Sequence, residues 1–413
     1  MEMNNEWVKD PKVFNINREK AHATMNRYAS LKEMHTNKSS YIYSLNGKWK
    51  FHYSNGFNQL IKEFSDKDYN SDNWDEINVP GHIQLQGYGT PMYVNQIYPW
   101  SATEQIIPGE IPEHNPIGSY ITYFDSSIIK DNTDVYITFK GVESAMALWV
   151  NGTFVGYSED TFTPSCFNVT SFIEEGNNKI AVNVYRFSSG SWLEDQDFWR
   201  FSGIFRDVEL EMVPHTHLED VKILTHLNDT YDHAVVEVNP TVIHPTKVIY
   251  TLKYKDEIIA SQIKEDSTSL QFELDHPHLW SAEKPHLYTL IIEVMDEEGP
   301  VECISQQVGV REFKIINGIM CINGQRIIFH GVNRHEFSAY TGRHVSYEET
   351  KQDILNMKAH NINALRTSHY PNQSFVYDLC DEYGLYVIDC EIHKLVTILH
   401  FLHLRRIGTI RKD

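Results

Sequence analysis

Two histidines stand where short apolar runs give way to polar residues. His335 lies in Gly331-Val332-Asn333-Arg334-His335-Glu336 and His369 in Arg366-Thr367-Ser368-His369-Tyr370-Pro371. Such a break is expected where buried parallel strands end at a functional face. A second kind of chemistry sits in Trp192-Leu193-Glu194-Asp195-Gln196-Asp197-Phe198-Trp199-Arg200, where three carboxylates and an amide are set between aromatics. That is oxygen-ligand chemistry for a hard cation or for hydroxyl groups. Carboxylates alone do not separate sodium, magnesium and calcium. The stretch from Gly89 to Trp100 packs aromatics around Asn95. Its composition suits stacking on a sugar face with Asn95 bonding hydroxyls, although most aromatic loops simply cover a core.

The histidines need strands to carry them. Arg326 to Phe329 is a compact apolar run that reads as a first strand, and Ile362 to Leu365 and Leu385 to Asp389 read as a second and third. Between them, Ser346 with Glu349 makes a capping box ahead of Ile354 and Met357, predicting a helix that stops near Asn361. Phe375, Val376, Leu379, Cys380 and Tyr383 predict another, closed by Gly384. Alternating strands and helices, with polar residues after each strand, are how a TIM-type (β/α)8 barrel begins. Arg366 is then expected at the end of the second strand, where it can orient neighbouring carboxylates.

The rest of the chain reads as β structure. Up to about residue 214, Asn46-Gly47 before Trp49, Phe51 and Tyr53, the Asn151-Gly152 turn between Leu148 and Phe154, and the alternation of Lys179 to Phe187 point to a two-sheet jelly roll. Residues 215–312 carry a second alternating pattern, the size of one immunoglobulin-like sandwich, with scattered histidines and no metal spacing. The predicted class is thus multidomain β and α/β: jelly roll over 1–214, immunoglobulin-like sandwich over 215–312, barrel start over 313–389 and a divergent tail over 390–413. With 413 residues, 41% hydrophobic, there is enough apolar material for several cores. A net charge of -20 argues against a nucleic-acid partner. The polar first twenty residues and the lack of about 18 consecutive apolar residues argue against secretion or membrane spanning, so a cytoplasmic location is expected. Five cysteines without CxxC spacing read as reduced core residues.

Five motifs in order, Ser44 to Trp49, Glu194 to Trp199, Ser202 to Asp207, Gly331 to Glu336 and Ser368 to Pro371, resemble those of the bacterial β-galactosidases of glycoside hydrolase family 2. The resemblance runs from about Trp7 to Asp389. It implies a hydrolase acting on lactose-type β-galactosides, His335 and His369 binding galactose hydroxyls and stabilising the transition state, and Asn95 binding substrate. It also implies that Asp197 holds both the galactose hydroxymethyl end and a sodium ion. The family is similar to this chain only to Asp389. There it continues with a Glu-x-His that supplies magnesium ligands. Glu391 and His393 keep that spacing, displaced towards Asp389.

Residues 394–413 carry five basic side chains against one acidic, a composition break expected of a truncated or frameshifted reading frame. Retaining glycosidases need two carboxyl groups about 5 Å apart, one as acid and one as nucleophile. No convincing pair is visible in the sequence, so the expectation is a chain weakly active or inactive alone. The alternative is a galactoside-binding or complementing subunit that takes a second chain, where full-length relatives form homo-oligomers. Either reading requires His335, His369 and Asp197 to face one hexose.

Overall fold

The computed structural model describes residues 2–95, 97–194 and 197–390. Glu391 and His393, and with them the divergent tail after Cys390, lie outside the described residues. In the first domain a seven-stranded antiparallel sheet, with Ala145–Val150, Asn177–Tyr185 and Ile117–Asp125 at its centre, faces a four-stranded one built on Thr133–Phe139 and Val208–Pro214. Trp49, Phe51, Tyr120, Phe139, Leu148 and Phe167 fill the space between them. The larger sheet is buried on both faces. Ala145–Val150 has no exposed residue because Trp7, Phe64 and Trp74 cover its far side. Asn151 and Gly152 both take positive φ, 48° and 82°, as the predicted two-residue hairpin requires.

The second sandwich pairs a three-stranded sheet with a five-stranded one. Its inward positions alternate strictly, as along His233–Ile243. One strand crosses the expected boundary at 214: Arg27–Tyr28 adds to the edge strand Pro300–Val308 of the second domain. A buried ion pair between Arg27 and Glu302 holds it there, and Leu218 bonds both side chains through its carbonyl and its N–H.

The barrel segment opens with two tight hairpins over 313–326, turned at Asn317-Gly318 and Asn323-Gly324, all four residues at positive φ. Three parallel strands follow, Gly331–Arg334, Ala364–Thr367 and Tyr386–Ile388. Helices Tyr347–Ala359 and Ser374–Tyr383 connect them. The first helix starts on the Ser346–Glu349 capping box and the second ends on Gly384 at φ 76°. Val332, Leu365 and Val387 face the helices and pack on Ile354, Val376 and Leu379.

The first strand is not where the apolar run predicted it. Ile327 and Phe329 pack beside Trp280 of the second domain and Tyr386, and the ladder starts only at Gly331. There the chains approach so closely that a Cβ on Gly331 would lie 3.0 Å from that of Ala364. The second strand likewise starts two residues late, and Arg366, expected at its end, is its penultimate residue, paired with Asn333 and Ile388.

Candidate functional site

The ends of the first two parallel strands bring the two histidines together. His335 follows Arg334 directly and His369 follows Thr367 by two residues, so both emerge at the same, C-terminal, edge of the parallel sheet. Their rings meet edge to face with centroids 5.6 Å apart and planes at 87°.

Among the described residues neither imidazole has a hydrogen-bond partner. Each is held by its neighbours. Arg334 is fixed by Asp353 at 3.0 Å, Asn372 at 3.3 Å and Thr350 at 3.4 Å, and its carbonyl accepts from the Ser368 N–H at 3.0 Å. Glu336, fully buried, pairs with Arg206 of the jelly roll at 2.8 Å and accepts from the Gln373 amide. Tyr370 stacks on Phe162 of the jelly roll with centroids 4.1 Å apart. The imidazoles are thus free to face a ligand while the residues on either side are locked.

The jelly roll supplies the other wall. Met92–Val94 and Phe198–Arg200 form a two-stranded ribbon, and Asn95 and Asp197 lie together just beyond the paired Val94 and Phe198. The Tyr93 hydroxyl donates to the Asp197 carboxylate, which raises the tyrosine's own pKa. Trp199 packs edge to face on Tyr93 across the ribbon. Asp197 is close enough for its charge to act on both histidines.

Partial burial, the mutual charge of the pair, Arg343 and Arg366 outweigh the carboxylate. Partial burial lowers the His335 pKa, aided by His369 and Arg343, and burial with Arg366 lowers that of His369. Both shifts favour the neutral ring, which carries one N–H donor and one lone pair, a set that matches sugar hydroxyls. Arg366 acts on His369 by charge and donates to the Ser368 hydroxyl at 3.2 Å.

The structure brings His335, His369, Asp197 and Arg366 within electrostatic reach of one another at this rim, and Asn95 follows Val94 at the end of the ribbon. It reassigns Glu194. That carboxyl turns inward to the Thr161 N–H and hydroxyl, at 2.8 and 2.6 Å, and burial pushes its pKa up to about 8. Glu194 therefore shapes the loop rather than lining the site. Of the carboxylates at the rim, Glu336 pairs with Arg206, Asp389 accepts from Thr367 and Tyr377, and Asp197 accepts from the Tyr93 hydroxyl. Among the described residues no three His, Cys, Asp or Glu side chains gather as a metal site. Asp197 alone does not make a sodium site, and the magnesium pair falls outside the described residues, so no step below runs through either ion.

Sequence reasoning passed over Arg343, Glu143, His82 and the Arg206–Glu336 pair. All are buried at the seam between jelly roll and barrel. A charged residue reads as surface until its partner is known.

Three matches define the class of this protein. Residues 42–214 match the sugar binding domain of glycosyl hydrolases family 2, residues 216–311 match glycosyl hydrolases family 2, and residues 313–406 match its TIM barrel domain. The chain belongs to glycosyl hydrolases family 2. Within that family its relatives are beta-galactosidases. It is 48% identical over 394 residues to the beta-galactosidase of Halalkalibacterium halodurans, covering 93% of this chain and 39% of that protein. It is 39% identical over 409 residues to the beta-galactosidase large subunit of Lactobacillus helveticus, covering 94% of this chain and 65% of that one. In fold it is similar to the beta-glucuronidase of Bifidobacterium dentium, with a TM-score of 0.70 at 21% identity over 85% of this chain and 61% of that one. No helix among the described residues is long and apolar enough to cross a membrane.

Proposed function

We propose that this chain forms the galactose-binding half of a β-galactosidase site, acting on terminal β-galactosides such as lactose. The observation that carries the reading is the pair of imidazoles at the C-terminal edge of the parallel sheet, ring centroids 5.6 Å apart, with the Asp197 carboxylate of the jelly roll near enough for its charge to act on both. Two N–H donors, two lone pairs, a carboxylate and the Asn95 amide suit a ring of hydroxyls. Acceptors fixed in place, the imidazole lone pairs and the Asp197 carboxylate, gain strength as positive charge develops at the sugar ring, because its hydroxyls become stronger donors.

Cleavage of the glycosidic bond with retention needs an acid and a nucleophilic carboxylate about 5 Å apart. Glu336 is paired with Arg206, and Asp389 accepts from Thr367 and Tyr377, which speaks for these coming from other residues. Sodium at Asp197, and magnesium at Glu391 and His393, complete this reading with ligands from the same region, as does a cytoplasmic location. The bound cations would supply fixed positive charge beside the hydroxymethyl group and the acid.

A second reading has a specific support: some relatives are named large subunits, and the chain spans 65% of one of them. In that reading a partner polypeptide contributes the remaining barrel and this chain is the sugar-binding subunit.

The test uses the 413-residue chain. Calorimetry should detect galactose, and Asp197→Asn should weaken it at least about tenfold, as loss of a charged hydrogen-bond partner of roughly 1.5–3 kcal/mol implies. A chromogenic β-galactoside should be hydrolysed poorly or not at all. Robust turnover by this chain without any added polypeptide sinks the requirement for carboxylates from outside.

A further inference from the structure

We propose that Arg343 is a positioning residue that sets the height of Asp197 over the histidine pair. The inference rests on the galactose-site reading for its consequence and on the geometry alone for its mechanics.

Arg343 belongs to the barrel segment, in the loop between His335 and the helix that starts at Tyr347. Its side chain is almost wholly buried and bonds across to the jelly roll. Nη1 donates to the Trp199 carbonyl at 2.7 Å. Nη2 forms an ion pair with Glu143, and its backbone N–H donates to His82 Nε2 at 3.0 Å. The guanidinium also lies over the rings of Phe162, Phe201 and Phe205.

Trp199 is two residues from Asp197 on the ribbon. At roughly 3.3 Å per extended residue, a carbonyl pinned at Trp199 fixes the carboxylate about 7 Å further along. Among the described residues each of the two short strands pairs only with the other. A two-stranded ribbon is marginal without outside support. Arg343 supplies that support from the barrel loop that also begins at His335, so one side chain ties the carboxylate and the imidazole to a common frame. Glu143 orients the fork and neutralises it. A planar guanidinium can hold a carbonyl and a carboxylate at once, whereas an ammonium on a flexible stem holds them less well together.

The experiment compares the wild-type chain with Arg343→Lys, Glu143→Gln, Asp197→Asn and the Arg343→Lys/Asp197→Asn double variant. Hydrogen exchange read by mass spectrometry needs no sugar. Peptides over 92–94 and 198–200 should exchange at least about tenfold faster in R343K, and to a smaller degree in E143Q, while those over 177–185 stay protected. Galactose affinity then separates positioning from general loosening. R343K should weaken it several-fold, and the double variant should bind no worse than D197N, because the arginine acts through the aspartate. Unchanged ribbon exchange in R343K overturns the proposal, and so do two losses that multiply in the double variant. Absence of galactose binding by the wild-type chain overturns the sugar-site reading instead, and the exchange result still decides the clamp.

Discussion

Replacing Arg206 by methionine should cost far more than a surface arginine does, because of what it leaves behind. Arg206 reaches from the jelly roll to Glu336, the residue after His335, at 2.8 Å, with both side chains almost fully buried. It also donates to the carbonyls of Phe162 at 2.7 Å and Pro371 at 3.0 Å. Methionine keeps much of the volume against Phe162 and Phe205 but leaves a carboxylate buried without its cation. Breaking one side of a buried pair costs roughly 3–5 kcal/mol. Glu336 keeps two long bonds from Gln373, both at 3.3 Å, which moderate the loss towards the lower end of that range. The Phe162 and Pro371 carbonyls add to it, at roughly 1–3 kcal/mol for each buried group left unpaired. We therefore expect Arg206→Met to destabilise the jelly roll–barrel seam by about 3 kcal/mol or more, read from urea unfolding followed by tryptophan fluorescence. The double variant Arg206→Met/Glu336→Leu should recover part of this, since removing both charges removes the uncompensated one. A single-variant loss below about 1 kcal/mol, or a double variant no more stable than the single, would show that Glu336 is solvated or otherwise paired and that the reasoning is wrong.

Two further outcomes follow from groups outside the rim. Burial raises the carboxyl pKa of Glu159 to about 7 and of Glu194 to about 8, above the ordinary carboxylate range. The folded chain thus binds more protons than the unfolded chain from about pH 4.3 upwards, and the stability these groups contribute is present below that and lost as pH rises through 7 and 8. Glu159→Gln/Glu194→Gln should flatten the fall in thermal midpoint between pH 5.5 and 8.5; a slope equal to wild type refutes the assignment. On the hairpin over 313–326, Phe313 and Ile315 are 54% and 67% exposed. Ile315→Lys should change stability by no more than about 0.5 kcal/mol and reduce self-association in light scattering, whereas a large drop in melting temperature would show that face to be packed.

The parts of this molecule that were legible in the sequence are those whose signal is local. The Ser346–Glu349 capping box, the Gly384 stop and the Asn151-Gly152 turn each act within a few residues, and each forms as read. The histidine rim was legible for a related reason: an apolar run ending in polar residues marks a strand end wherever the strand begins. That is why His335 and His369 meet even though the first strand starts at Gly331 and not at Arg326. What an apolar run does not reveal is which neighbour it serves. Ile327 and Phe329 satisfy the second domain, and nothing in their own spacing distinguishes that from a sheet. The seam was illegible for a stronger reason. Arg206 meets Glu336 across 130 residues of chain, and Arg343 meets Glu143 across 200. No pattern of single residues encodes such a pairing, and in isolation each arginine reads as a solvated charge. Yet these pairs set where the jelly roll sits on the barrel, and hence whether Asp197 reaches the histidines at all. The groups of the rim can be found from local chemistry, while the groups that place them depend on the tertiary fold.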